Sequence, residues 1–482
     1  MLKYFLSLTK NQVILKMKKI LFTLSLGALS LSAFSQASTV WQPYNSNLDT
    51  SSYVRYLSVV DTNTVWGVGF LTGRTNTNWF TRTIDGTNFN KGLIFPDTLK
   101  YNVSNISAID ANTAYVSAYF IAATGTSGRI MKTFNGGSTW TVASDTTTMF
   151  KGTSNFPDWV HFWNANNGIA LGDPNGNTGG GAMAMFEIWR TYNGGTSWTR
   201  VADANVPAPL SGEFGLTNSY TTWKGHIWSG TSDGARVYAS ADSGKTWTVN
   251  IGTIGLAGGI IGLAFRDSLH GLLWGAASTT ATISTVMKTT DGGATWSTVT
   301  TNSTVGTSYI STIPKTTVYM SVGLNGTGAG YVTSVSYNDA ASWTVLETGI
   351  TNPVRMLSVQ MLDSLHGWAG NYSTNTLPYG TNGINKYKGP KIAGIKSLVE
   401  VDNSLVYPNP SNGYVHIFLP KAIAGTEISV HDMIGNKVYK TTLDRTIINQ
   451  DINVDISNMQ KGIYMLTITN GESKHNEKII IQ

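Results

Sequence analysis

The chain has 482 residues, only 12% of them charged, with 51 glycines, 15 tryptophans and no cysteine. The missing cysteine excludes disulfides, thiolate metal sites and a cysteine nucleophile, while abundant Gly, Thr and Trp favour short strands and tight turns over helices. A formal net charge of +6 invites a nucleic-acid reading, which depends on where that charge lies.

It lies at the N-terminus. From Met17, "MKKILFTLSLGALSLSAFSQA" carries a lysine pair, an apolar run from Ile20 and small residues at Ala33 and Ser35. This is the order of a secretory signal peptide, and its apolar run is short for a membrane span. Residues 1–35 are expected to be a removable leader, with translation starting at Met17. They hold five lysines and no acid, so 28 of the 33 basic residues remain against 27 acidic ones. The remaining chain is nearly neutral, and no nucleic-acid partner or transmembrane span is expected once the leader is removed.

The first expected strand, "TVWQPYN" (39–45), has no partner before it. Then a turn recurs: "TIDGTNF" ending at Phe89, "TFNGGSTW" at Trp140, "TYNGGTSW" at Trp198, "SADSGKTW" at Trp247, "TTDGGATW" at Trp296 and "SYNDAASW" at Trp343. Successive spacings are 51, 58, 49, 49 and 47 residues, the signature of a repeat architecture. Asp85, Asn135, Asn193, Asp242, Asp291 and Asn338 can accept backbone N–H bonds of their own turns, and glycine tolerates the positive φ that follows. The closing aromatic starts an outer strand and is expected to pack on the neighbouring unit. This pattern resembles the Asp-box, or BNR repeat, of sialidases, xyloglucanases, sortilin ectodomains and photosystem-assembly propellers. The resemblance implies a propeller and gives these residues a structural role.

Each unit supplies the strands of a blade. In the fifth, "IIGLAF" (260–265) reads as an inner strand, "LLWGA" (272–276) as a second, "TVMKTT" (285–290) as a third and "TWSTVT" as an outer one. His270 and His366 share one repeated turn, "DSLHG", and read as turn residues. The last unit, 354–389, has three strands and no box, and Trp41 lies one repeat before Phe89. The N-terminal strand is therefore expected to complete the last blade. The expected fold is all-β: a seven-bladed β-propeller over 36–390, closed by its N-terminal strand, then a linker (391–405) and a small C-terminal β-sandwich.

That sandwich is read from the alternating patterns at 406–420, 427–440, 454–471 and 477–482. "YPNPSNG", "VHDMIGNKVY" and "KGIYMLTI" resemble the C-terminal sorting domain of the Bacteroidetes type IX secretion system. The resemblance implies that 406–482 engages that machinery and directs the chain, via the periplasm, to secretion or the outer-membrane surface.

No motif fixes an activity. A sialidase needs an arginine triad and a Phe/Tyr-Arg-Ile-Pro motif, and this motif is absent. "GLNGTGAGY" (323–331) has no helix behind it to bind a dinucleotide. No metal spacing or cofactor motif is found, so no metal and no cofactor are expected. The repeat is most irregular around its third unit, where Asp158, Asp173 and Glu213 are expected to converge near a mouth on the face opposite the boxes, with Trp159 at its edge. Carboxylates beside an indole suit sugar binding or glycoside hydrolysis, and equally suit turn chemistry. The function expected is binding of an extracellular glycan or protein, with a glycoside hydrolase and an assembly scaffold as alternatives.

Overall fold

The computed structural model describes residues 38–482 except 49–51, 72–77, 96–100, 122–127, 152–155, 176–184, 233–234, 251–253, 278–283, 315, 329, 349–354, 373–382, 393–404, 423–424, 446 and 471–472. The expected leader and most of the expected linker lie outside the described residues. Contacts divide the chain into two compact units, Met1–Ile395 and Lys396–Gln482.

In the first unit, antiparallel four-stranded sheets follow one another along the chain. Five are separate, opening with Tyr101–Ala108, Pro157–Phe162, Gly215–Trp223, Ile260–Phe265 and Tyr309–Thr312. An eight-stranded sheet holds two further groups, opening with Ser52–Val59 and Arg355–Met361, bridged by the pair Tyr53↔Tyr372. Trp41–Asn45 takes the outermost place in the latter group, pairing with Gly383–Tyr387 from Trp41↔Tyr387 to Asn45↔Gly383. The expected strands of the fifth unit are found as Ile260–Phe265, Gly271–Ala276 and Ser284–Thr289. Its outer strand shrinks to Ser297–Thr298.

Alternating side chains bury both faces of these sheets against their neighbours. Trp66, Val68 and Phe80 of the first group meet Val103, Ile106 and Val116 of the next. The last interface joins Trp368 and Ile384 to Val59, Val65 and Phe89, so the final group packs on the first.

The opening strand of each sheet is an edge whose backbone groups need partners. Side chains of adjacent sheets supply them. Ser58 Oγ accepts from Ala108 N (2.8 Å), Ser107 Oγ from Phe162 N (3.0 Å), Ser311 Oγ from Met361 N (3.1 Å) and Gln360 Oε1 from Val59 N (3.0 Å). Most opening strands also carry one extra residue against the second strand: Arg55, Ser104, Asp158, Ile261 and Leu357 are bulged out of the ladder. In the sheet of Gly215–Trp223 the bulge is enlarged. Residues 216–219 stand opposite Gly230 alone, and Asn218 takes φ 57 to make the detour.

The second unit has one sheet of Leu405–Tyr407, Tyr414–Ala422 and Ile447–Asp455, and another of Glu427–His431, Lys437–Thr442, Gly462–Asn470 and Ser473–Ile481. One apolar cluster, including Val415, Ile417, Val454, Val430, Leu466 and Ile479, draws on both sheets. Strand Ile447–Asp455 starts well before the expected 454, because its polar "NQD" hides the alternation.

Candidate functional site

The repeated turn is built by its own side chains. Its first hydroxyl accepts from the backbone four residues on: Thr133 from Gly137 (3.0 Å), Thr191 from Gly195 (2.9 Å), Ser240 from Gly244 (2.8 Å) and Thr289 from Gly293 (2.9 Å). Asn135, Asn193 and Asn338 each accept from the N–H four residues later, at 2.9 Å. In the shortened copy Asp85 accepts from Thr87 N and Asn88 N. The second glycine is required by space as well as by φ. A Cβ on Gly137 would lie 2.1 Å from Phe80, and one on Gly244 2.2 Å from Ile169, both on the preceding sheet. The aberrant copy places Asp339 and Ala340 at positive φ, and Asp339 is held there by Arg266 of the preceding sheet at 2.7 and 3.0 Å.

The closing aromatics pack on the preceding sheet, as expected. Trp140 meets Phe80 edge-on at 5.8 Å, and Trp198 donates through Nε1 to Ala143 O at 2.8 Å. Trp247 is buried, whereas Trp140, Trp198, Trp296 and Trp343 keep part of the indole in solvent. The "DSLHG" turns have the same economy: Asp267 accepts from His270 N (2.7 Å) and Asp363 from His366 N (2.8 Å).

Hydrogen bonding holds the Asp242 and Asp291 carboxyls low. Burial pushes Asp242 up, but bonds from Thr246, Ser240 and Lys245 outweigh it and bring it to about 2. The Thr295 hydroxyl and N–H lower Asp291 to about 2. Asp242→Ala and Asp291→Ala should each lose about 1 kcal/mol of stability per hydrogen bond removed. A carboxyl depressed by folding stabilises fully above its unfolded pKa, about 3.9, and the contribution fades as pH falls from there toward 2. Denaturation at pH 6 should separate variants from wild type, and the gap should narrow at pH 2.5.

The structure does bring Asp158, Asp173 and Glu213 together, around Gly215, but inside the protein. Asp173 Oδ1 accepts from Gly215 N at 2.9 Å, and the Asp158 carboxylate packs on the Gly215 Cα, where a Cβ would lie 2.0 Å from Oδ2. Glu213 accepts from Arg236 Nε (3.1 and 3.2 Å), Thr231 Oγ1 (2.6 Å) and Leu210 N (2.8 Å). All three are buried. Their expected place at an open mouth is corrected accordingly: Asp158 is a bulge residue and Asp173 lies within strand Gly168–Asn175. Trp159 is corrected too. Its indole is 0% exposed, stacks on Tyr220 at 4.5 Å and donates to Ser229 Oγ at 3.0 Å, so it borders no surface. Sequence reasoning missed Glu187, buried and accepting from Phe150 N at 2.7 Å. An acid within the apolar strand "MFEIWRT" is the signal that could have found it.

An open cavity lies elsewhere. A cavity of about 390 Å³ is walled by all the opening strands, near their C-terminal ends. Those ends run into turns whose carbonyls bond the repeated box turns, as in Gly86 N→Asn63 O (2.9 Å) and Gly194 N→Asn166 O (2.9 Å). The cavity therefore sits toward the box rim, opposite the face the irregular loops suggest. The enlarged bulge reaches across it: Tyr56 donates to Thr217 at 2.9 Å, and Asn218 approaches Tyr309 at 3.5 Å. His161 contacts Tyr220 (3.4 Å) and Thr222 (3.5 Å) in its wall, and burial lowers its pKa to about 4, so it is neutral near pH 7. Among the described residues, no group of three or more His, Asp or Glu is placed to hold a metal ion.

The same rim displays apolar side chains. The second position of the repeated turn points outward, and Ile84, Phe134 and Tyr192 are 55–56% exposed there. Tyr337 repeats the position in the aberrant copy, and Leu269 and Leu365 project from the adjacent "DSLHG" turns. Lys132 lies over Phe134 at 5.2 Å and Arg190 over Tyr192 at 4.9 Å.

Sheets packed around a central cavity define a β-propeller, and the C-terminal unit determines its destination. Residues 405–482 match the secretion system C-terminal sorting domain, which directs the chain through the type IX secretion system to the cell surface or beyond. Among the described residues no helix is long and apolar enough to cross a membrane. No curated protein matches the sequence significantly. Among solved structures, YCF48 from Cyanidioschyzon merolae is similar over 73% of this chain and 99% of its own, at TM-score 0.51 and 14% identity. PorZ, a surface component of the type IX secretion system of Porphyromonas gingivalis, covers 89% of this chain and 70% of its own at 0.35 and 11%. An ancestral GH74 enzyme covers 92% and 64% at 0.48 and 13%. At these identities the likeness concerns the fold alone.

Proposed function

We propose that this chain is a seven-bladed Asp-box β-propeller, spanning 36–390, that binds a glycan or protein outside the cell. A leader over 1–35 starts its export, a linker over 391–405 follows the propeller, and a C-terminal β-sandwich, 406–482, engages the export machinery. One observation carries the binding role: the box rim surrounds an open cavity with exposed apolar and aromatic side chains at repeated positions. Exposed apolar side chains mark a contact surface when they are grouped rather than scattered singly, and these share one rim. The glycoside hydrolase alternative needs a carboxylic acid that reaches a glycosidic oxygen, and the three candidate acids are buried.

The full chain should bind to the surface of cells lacking its gene. Phe134→Ala with Tyr192→Ala should weaken that binding at least 10-fold and leave the thermal midpoint unchanged, as for truncated aromatic anchors. Unaltered binding would refute the rim assignment. Release of reducing ends from any polysaccharide by the same preparation would favour the hydrolase.

A further inference from the structure

The polar groups around the cavity divide into two sets. Ser58, Ser107, Ser311 and Gln360 spend a side-chain oxygen on a neighbouring strand's N–H. The position equivalent to Ser58 and Ser107 is His161 in the next sheet, which faces Thr222 instead of capping a backbone N–H. His161, Asn218, Thr222 and Tyr309, all partly open to solvent, line the wall from three different sheets. The enlarged bulge brings Asn218 toward Tyr309, so this set is assembled by a departure from the repeat rather than by the repeat.

Among the described residues, the lining contains no Asp, Glu, Lys or Arg. An ion entering this cavity would lose water without gaining a counter-charge from the described lining side chains. A neutral ligand rich in hydroxyls would exchange its water bonds for the amide, imidazole and hydroxyls in the wall. The cavity, about 390 Å³, is at the small end of the roughly 300–1,000 Å³ typical of ligand sites. Its aliphatic patches, such as Leu57, Ile106 and Leu263, suit the C–H faces of a ring.

We propose that this cavity binds an uncharged carbohydrate of one or two rings, held by His161, Asn218, Thr222 and Tyr309. The proposal rests on the binding role above and names its ligand class. A protein loop is the competing occupant, but a loop would insert through its side chains and would not discriminate among neutral sugars.

Ligand-observed NMR and calorimetry on the full chain test this with D-glucose, D-galactose, D-mannose, N-acetylglucosamine, maltose and cellobiose, against glucuronate and glucosamine. At least one neutral sugar should bind saturably, with its charged counterpart at least 10-fold weaker. Thr222→Val and Asn218→Ala should each weaken that sugar 10-fold or more. Ser58→Ala, which loses a strand cap, should lower the thermal midpoint and change affinity by less than twofold. The proposal is overturned if no neutral sugar binds, if charged sugars bind equally well, or if Thr222→Val and Asn218→Ala both retain full affinity. Should surface binding still depend on Phe134 and Tyr192 in that event, the rim reading survives and only the ligand class falls.

Discussion

Glu213→Ala is expected to destabilise the first unit by about 3–5 kcal/mol, the range for removing one partner of a buried ion pair. Glu213 is 0% exposed at its side chain and Arg236 is 10%. Arg236 also donates to Ala208 O and Tyr238 OH, at 2.9 and 2.8 Å, so the guanidinium is fixed in place and cannot swing out to water. Losing the carboxylate would strand that charge and leave Leu210 N without its acceptor. Glu213→Leu combined with Arg236→Met should recover at least half the loss, because the cost comes mainly from the unpaired charge. Chemical denaturation of the three forms measures this. A loss below 1 kcal/mol for Glu213→Ala would show that the pair is solvated in solution. The same experiment tests the acid's role in binding: surface binding per folded molecule should not change.

How much of this was legible follows from what repeats. The box turn needs a hydroxyl, an Asx side chain and glycines at fixed offsets, so its chemistry is written in residue types and its spacing exposes the architecture. The pairing of Trp41–Asn45 with Gly383–Tyr387 follows from the same count, since a strand one repeat before Phe89 has nowhere else to pair. The cavity was not legible. Its wall places Ser58, Ser107, His161, Thr222, Ala264, Ser311 and Gln360 near the ends of the opening strands, a set with no common residue type. The bulge at 216–219 also shifts register where the pattern is weakest. The acid cluster was half legible. Asp158, Asp173 and Glu213 do meet, but the tie to Arg236, just before strand Val237–Ser240, depends on tertiary packing. Polar residues at a break in the repeat suggest a mouth; here Asp173 ties its sheet to Gly215 of the next.

Trp41→Ala should cost about 3–5 kcal/mol, as large aromatic truncations in a core do. The indole is 0% exposed, lies edge-on to Tyr387 at 5.5 Å and donates to Thr333 Oγ1 at 2.9 Å. It packs with Val322, Val335 and Met356, so it serves both the sheet it completes and the one before it. Ser38 Oγ and Thr39 N bond the Glu347 carboxylate at 2.7 and 2.6 Å, which anchors the start of the strand to that same neighbour. Loss of the indole should therefore loosen the strand as well as leave a cavity, baring the backbone of Gly383–Tyr387 as an open edge. Two readouts follow. The denaturation midpoint should fall about as far as for Trp247→Ala, another buried box-strand tryptophan. Amide exchange in Gly383–Tyr387 should accelerate for Trp41→Ala but not for Trp247→Ala, whose cluster lies around Ile169 and Ile188. Equal midpoints for wild type and Trp41→Ala would mean that the N-terminal strand adds nothing to the fold. A lowered midpoint without faster exchange would mean that the indole fills space while the backbone pairing alone closes the last sheet.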